Sequence, residues 1–423
     1  MISRPSRAEC YVYIMLPGET SFVTAGRFEL AEDRRGNPLG RFVYGQSYLD
    51  RPNAVDIDPV ELKLQRGTFE TTALKGVFGA LRDAGPDYWG RRLIERHVGG
   101  QLGELDYLLN SPDDRAGALG FGLGATPPAP LRRFNKTLAL ETLQSIADAV
   151  VADEKLPDEV THEQIKELML IGTSMGGARP KAVVEDEDGL WLAKFGRFDD
   201  RWNNARVERA MLVLAQRCGI TPEASKIATV AGRDVLLVKR FDREKGMSGY
   251  RRARMVSGLT ILRTEDTNQS RDKWSYVALA EELRRISATP KKDAGELFRR
   301  MCFNALISNA DDHPRNHAVI APGAEWKLSP VYDLTPQNPV SMDRRDLAMV
   351  CGDQGRFANA RNLLSQSARF LLDQGEAESI IRDMAATVEQ GWYETARGEG
   401  VSEADCERIR GAFVYPGFWQ DRT

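Results

Sequence analysis

The sequence is poor in the materials of several function classes. Its five cysteines (Cys10, Cys218, Cys302, Cys351, Cys406) are scattered and odd in number, with no C-x-x-C pair. That argues against a disulfide scaffold or a zinc knuckle and fits a reducing compartment. Four histidines leave little material for a histidine-rich metal site. No run of 18 apolar residues is present, so no transmembrane helix and no membrane association are expected. Residues 1–5 are partly basic but lead into no apolar stretch, so no signal peptide is expected and the location is read as cytoplasmic. The net charge of −3 provides no global positive field to draw the chain onto nucleic acid. There is no internal repeat and no low-complexity tract.

What is present suits a two- to three-domain protein: 423 residues, 42% of them hydrophobic. The chain begins with alternating strands at 11–16, 28–30 and 41–44, punctuated by Pro-Gly and Gly-Asn-Pro turns. From Pro86 the period changes to that of a helix ended by Gly99-Gly100, and a short helix follows at 105–109. A glycine-dense stretch, 115–122, runs into Thr126-Pro127-Pro128-Ala129-Pro130, which marks a first boundary. Helices are predicted at 138–151 and 157–170. After a glycine loop at 172–181 come two strands joined at Asp188-Gly189, a helix from 203 to 218, and a hairpin across Gly232. Beyond Phe241 the pattern is helical, with Tyr276, Leu279, Leu283 and Ile286 on one stripe and Leu297, Phe298, Met301 and Leu306 on another. Further helices are expected at 360–372, 376–388 and 402–409. The organisation is read as 1–130, 131–240 and 241–423.

The densest polar chemistry lies in Asn309-Ala310-Asp311-Asp312-His313-Pro314-Arg315-Asn316. An apolar helix end precedes it and a short strand, 318–320, follows. Pro314 cannot sit inside a helix and keeps His313 out of the α region, so the polar groups lie on a loop held between rigid elements. Asp311 and Asn316 have the spacing of a kinase catalytic loop, in which the Asp takes a hydroxyl proton and the Asn holds Mg²⁺. Asp312 is expected to point away from Asp311 and to be secondary. Arg315 has two readings, steadying Asp311 or meeting a phosphate. Asp333, after the apolar Leu328-Ser329-Pro330-Val331-Tyr332, reads as a second metal ligand, because Mg²⁺ prefers hard oxygen donors. Gly176-Gly177 allows close backbone approach to phosphate oxygens, and Lys181 adds a charge at the loop exit. Lys194, in the apolar run Leu190-Trp191-Leu192-Ala193, is costly to bury without an anion. Glu208 on the next helix and a nucleotide phosphate are its natural partners. Each signal alone also describes an ordinary turn or strand; their order is the stronger indication. Competing readings are a metal-dependent hydrolase built on His313, His317 and the Asp pair, and a solvated or substrate-facing role for Arg251-Arg252-Ala253-Arg254.

These motifs resemble the HipA-type serine/threonine kinases, toxin components of bacterial toxin–antitoxin modules. The resemblance rests on Phe42-Val43-Tyr44, Gly76-Val77-Phe78, Pro86-Asp87-Tyr88-Trp89-Gly90-Arg91, the loop Ser174-Met175-Gly176-Gly177-Ala178-Arg179-Pro180-Lys181, Val238-Lys239-Arg240-Phe241-Asp242-Arg243, the loop 309–316, and Tyr332-Asp333. It implies an α+β, two-lobed kinase-like fold with an extra N-terminal subdomain, a β-rich N-lobe and an all-helical C-lobe. By the same resemblance Asp311 is the catalytic base. Asn316 and Asp333 hold Mg²⁺. ATP is met by Ser174, Met175, Gly176, Gly177, Ala178, Lys181, Lys194, Lys239, Phe241, His313 and Asn316, and Glu208 pairs with the strand lysine. Ser174 is the implied autophosphorylation site. The implied partners are a HipB-like helix-turn-helix antitoxin, through which DNA is met indirectly, and a protein substrate such as an aminoacyl-tRNA synthetase. The alternative is a catalytically silent corepressor. Residues 250–275 have little counterpart in the resemblance.

Overall fold

The computed structural model describes residues 8–99, 101–130, 134–136, 140–151, 179–337 and 341–420. The expected helix at 157–170 lies outside the described residues. The chain divides into two compact units. The first holds residues 1–195, 239–256 and 320–326; the second holds 196–238, 257–319 and 327–423.

The first unit opens with a five-stranded antiparallel sheet. Its strands are β1 (Ala8–Met15), β2 (Phe22–Glu32), β3 (Pro38–Tyr44), β4 (Thr68–Thr71) and β5 (Leu119–Gly122), in the order β4-β3-β2-β1-β5. Val12, Ile14, Phe28 and Phe42 are fully buried, as the period-2 pattern requires. Helix α1 (Tyr88–Val98) starts where Pro86 indicated: Asp87 is its N-cap and accepts from Gly90 N, and Gly99 ends it at φ 72°. Strand β6 (Asn135–Lys136) runs parallel to β7 (Lys181–Asp186), which forms a hairpin with β8 (Gly189–Phe195).

The same unit contains a feature that the sequence concealed. Arg240 makes a bidentate pair with Asp242 (3.0 and 2.9 Å) and reaches Asp114 at 2.6 Å. Arg243 adds a 2.7 Å contact to Asp242, which also accepts from Gly117 N at 2.9 Å. All four side chains are at most 1% exposed. Burial opposes the Arg240 charge, but Asp114 and Asp242 more than restore it. Burial and then the Arg240 charge push Arg243 down to about 9. The basic run at 251–254 behaves likewise. Arg252 pairs with Asp113, and Arg254 pairs with Asp56 and lies over the Trp326 ring, both side chains 2% exposed. The solvated reading is therefore corrected for these two, because carboxylates distant in sequence compensate their burial. The helical reading from Phe241 onward is corrected too: an antiparallel pair, Arg243–Gly246 with Gly249–Arg252, and a strand, Arg254–Ser257, come first.

In the second unit helix α2 (Asn204–Arg217) is capped by Asn203 and buries Val207, Met211, Leu212 and Ala215. Strands β9 (Ser225–Val230) and β10 (Arg233–Lys239) turn through Ala231 and Gly232, both at positive φ, as a two-residue hairpin demands. Helix α3 (Gly258–Ile261) is short. Helix α4 (Tyr276–Ile286), capped by Ser275, buries Tyr276, Leu279 and Leu283 of the predicted stripe and leaves Ile286 half-buried at its end. Helix α5 (Pro290–Leu306) starts on its proline and packs against α4 and against α6 (Gln374–Gly398). The last is longer than predicted and begins in a capping box of Asp373 and Glu376. The expected helix at 360–372 is broken instead into a turn of α-helix, Ala360–Leu364, and a 3₁₀ turn, Ser367–Phe370, closed by Leu371 in the left-handed region. Among the described residues no helix is long and apolar enough to cross a membrane.

Candidate functional site

The loop 309–317 follows α5 directly. Ser308, at φ 55°, turns the chain out of the helix. This strained residue is held in place: its hydroxyl donates to Ala412 O and accepts from Arg345, each at 2.6 Å. Asn309 is fixed on α5 by backbone and side chain, its N bonding Asn304 O at 2.8 Å and its Nδ2 bonding Asn304 Oδ1 at 3.0 Å. His313 is extended at ψ 167°, as a residue before proline must be, and Pro314–Asn316 forms one 3₁₀ turn.

Consecutive aspartates separate at this point. Asp311 is exposed; Asp312 is 1% exposed and points inward. Asp312 Oδ2 accepts from the Tyr276 hydroxyl and from His317 Nε2, the latter at 2.7 Å. Asn304 Nδ2 completes the set on Tyr276 at 3.3 Å. This inward turn agrees with the direction expected of the Asp312 side chain. It also accounts for His317, whose Nε2 bonds Asp312. Among the described residues no group of three or more His, Cys, Asp and Glu side chains is arranged to hold a metal ion.

Asp311 keeps its access to solvent, yet burial by the surrounding protein lifts its carboxyl above the usual range. His313 pulls the other way, and the charges of Asp333, Asp312 and Asp266 raise it further. Asp311 and Asp333 therefore act on one another electrostatically. Asn316 is buried, with Nδ2 3.5 Å from Asp311 O. Asp333 sits at φ 63°, a conformation Asp tolerates better than most residues; the apolar run before it forms a strand at Lys327–Leu328 and a single bridge at Val331. The preceding Tyr332 donates from its hydroxyl to Arg315 O at 2.9 Å and so ties the Asp333 segment to the loop. Arg315 is engaged by Asp266 at 3.3 Å, which neither of its two readings foresaw. Trp274 packs edge-on against His313, ring centroids 6.3 Å apart.

Helix α3 presses on the loop from the other side. Gly258 N donates to His317 O at 2.7 Å. A Cβ on Gly258 would lie 2.5 Å from Pro314 O, so only glycine permits this approach. Gly258→Ala is expected to shift the loop, costing about 1–3 kcal/mol by overpacking. Any chemistry that the loop carries should fall on the order of 100-fold, since a displacement near 1 Å has that effect. Melting temperature and turnover measured on one preparation check both.

The remaining predicted residues are distributed as follows. Ser174, Met175, Gly176, Gly177 and Ala178 lie outside the described residues. Lys181, expected at nucleotide phosphates, is buried with its ammonium 2.6 Å from Asp87 Oδ2. Asp87, which caps α1 through its other oxygen, was not singled out from the sequence. Lys194 stands directly across β7–β8 from Lys181, and two like charges opposite one another repel; Asp87 offsets one of them. Glu208 is 6% exposed on α2. Lys239 and Phe241 are partly buried, alternating with the buried Arg240 and Asp242.

Comparison with known proteins agrees with this picture. A protein of Sinorhizobium fredii named "Putative kinase Y4mE" is 28% identical over 130 residues, covering 30% of this chain and 31% of that protein. A Haemophilus influenzae protein named "Putative kinase" is 22% identical over 223 residues, covering 48% of this chain and 65% of that one. The chain thus matches about a third and just under two thirds of those relatives' lengths. A chain of the solved Shewanella oneidensis complex of HipA, HipB and operator DNA superposes with a TM-score of 0.69 at 18% identity, over 95% of this chain and 94% of that one. The fold is therefore the mixed α/β fold of that complex's HipA. The model of the HipA-like C-terminal domain matches residues 173–392, more than half of the chain, and the protein belongs to that family.

Proposed function

We propose that this chain is an ATP- and Mg²⁺-dependent serine/threonine protein kinase that passes the γ-phosphoryl to a protein hydroxyl. The observation that carries the reading is the single loop in which Asp311 faces solvent with a raised carboxyl while Asp312 is locked inward. Asp311 orients the acceptor hydroxyl and takes its proton; a carboxyl lifted above the usual range is a better base for that task. The donor set fits Mg²⁺: Asn316 contributes an amide oxygen, its nitrogen being turned to the loop carbonyl, and Asp333 contributes a carboxylate. When bound there, the ion would offset charge on the transferring phosphates. Lys194 meets the phosphates. Lys181, engaged by Asp87, contributes by fixing the start of β7. Lys239 and Phe241 meet the nucleotide in this reading; Arg240, between them, is turned into the buried ion network.

The acceptor is a protein such as an aminoacyl-tRNA synthetase, and the controlling partner is a HipB-like antitoxin that brings the kinase to DNA. Support for that partner is the likeness to a chain solved with HipB and operator DNA. The setting is cytoplasmic. A catalytically silent corepressor is the second reading. A phosphoproteome comparison of cells expressing the wild type or Asp311→Asn separates the two. Acceptor phosphopeptides lost in the variant support the kinase, and identical phosphoproteomes with no ATP turnover support the corepressor.

Ser174 is proposed as a self-inhibitory acceptor. A phosphate there carries about −1.5 to −2 charge at pH 7 and would repel ATP phosphates from the same backbone N–H groups. Incubation with ATP is expected to add one phosphate at Ser174, or at the adjacent Thr173, and to switch turnover off. Peptide mass spectrometry that finds neither modified, or full activity in Ser174→Asp, overturns this.

A further inference from the structure

The inward network under the loop has a geometry that assigns it a task. Two pairs of residues span the 3₁₀ turn Pro314–Asn316 at the same separation. Asp311 and Asn316 form one pair; Asp312 and His317 form the other, each a single residue along. The second pair is joined by the 2.7 Å bond from His317 Nε2 to Asp312 Oδ2, with both side chains about 1% exposed. A bond closing the base of the turn fixes how far apart the residues beside it stand.

The base is itself immobilised. The Tyr276 hydroxyl, at the first turn of α4, donates to the same Asp312 oxygen, and its ring lies edge-on to His317 with centroids 5.5 Å apart. Asn304 of α5 bonds Tyr276 on one side and Asn309 on the other. Gly258 N of α3 takes the His317 carbonyl. Three helices therefore hold one buried set of polar groups. His317 Nδ1 has no hydrogen-bond partner among the described residues, so the ring's one side-chain hydrogen bond is made by Nε2. Buried polar sets of this kind are costly when broken and specify one arrangement when complete.

We infer that Asp312, His317 and Tyr276 form a clamp that sets the spacing between Asp311 and Asn316, acting as positioning residues that touch neither nucleotide nor acceptor. The clamp rests on the kinase reading for its consequence, since its purpose is to hold a proton acceptor and a metal ligand at one separation. It explains why a second aspartate adjoins the first: one faces the chemistry, and the other anchors it.

Side-chain shape provides the test. A glutamine places its amide nitrogen at the reach of Nε2; an asparagine places it at the reach of Nδ1. In the full-length protein His317→Gln is expected to retain the bond to Asp312, and His317→Asn to lose it. Hydrogen exchange of the Gly258 amide in the nucleotide-free protein reads the clamp directly. Protection should persist in the Gln variant and fall about tenfold or more in the Asn variant and in Tyr276→Phe. The Mg²⁺ concentration giving half-maximal binding of a fluorescent ATP analogue should rise severalfold with Asn and return with Gln. The kcat should drop on the order of 100-fold with Asn, as for an ångström-scale misplacement, with KM for the acceptor little changed. Equal exchange and equal Mg²⁺ dependence in the Gln and Asn variants overturn the clamp, whatever their thermal stability. If the wild type transfers no phosphoryl group, the kinase reading fails, while the exchange measurement still decides the clamp.

Discussion

If the proposed kinase reading holds, Asp311→Asn is expected to remove phosphoryl transfer and to leave nucleotide binding and folding nearly untouched. The asparagine has the shape of the aspartate but cannot accept the acceptor's proton, and general-base contributions are typically 10²- to 10⁴-fold. The side chain is exposed, and none of the loop's anchoring side-chain bonds runs through it; those belong to Asn309, Asp312, Arg315, Asn316 and His317. Folding stability should therefore change by no more than about 0.5 kcal/mol, as for an ordinary surface substitution. A fall in transfer of about 10²- to 10⁴-fold is expected in single-turnover assays, with a melting temperature and an ATP affinity close to wild type. Removing Asp311 also relieves the electrostatic pressure it shares with Asp333, so ATP affinity at a fixed Mg²⁺ level should not weaken. Equal transfer rates in variant and wild type would show that the register of the loop is misread. Asp312→Ala, in contrast, should lose both activity and stability, because it strips partners from a buried tyrosine and histidine.

Asp242→Ala should be the most destabilising change in the first unit. It leaves Arg240 and Arg243 buried with Asp114 as their remaining carboxylate. Breaking a buried pair by removing one partner typically costs 3–5 kcal/mol, which for a unit of this size is on the order of 10 °C in melting temperature. The second guanidinium carries the strain already, since burial and the neighbouring Arg240 hold Arg243 at about 9. The pH dependence has a definite sign. Although burial opposes it, the two arginines hold Asp242 well below the ordinary carboxylate value. Its stabilisation is thus complete above the unfolded value near 3.9 and is lost as pH falls further, through the folded value. The wild type should lose stability steeply in acid, and Asp242→Ala should show a flatter acid limb from a lower plateau. Thermal melts from pH 7 to pH 2 measure both. A variant within a degree of wild type at pH 7 contradicts the network's importance.

The sequence by itself determined whatever depends on near neighbours. Period-2 and period-3.6 patterns located three of the five strands of the first sheet and the helices at 204–217, 276–286 and 290–306, because a side chain's burial follows from the geometry of its own element. Capping residues set the starts: Asn203, Ser275, Asp373 and Ser402 all accept from the first turn of their helices. Pro314 fixed the loop conformation, and the spacing of Asp311 and Asp312 from Asn316 made their different directions legible. Only the tertiary structure decided which charges meet. Lys181 finds Asp87 across 94 positions, Arg240 finds Asp114 across 126, and Arg254 finds Asp56 across 198. Local patterning carries no information at those separations, so a lysine bound to a carboxylate cannot be told from any other lysine in sequence. The left-handed turns at Leu371 and Asp333 were hidden for the same reason: neither residue is a glycine, and what holds such a backbone is the packing around it. The clamp beneath the loop combines both kinds of information. Its Asp and His are five apart and can be read locally, whereas the Tyr276 hydroxyl that completes it arrives from another helix only when the chain is folded.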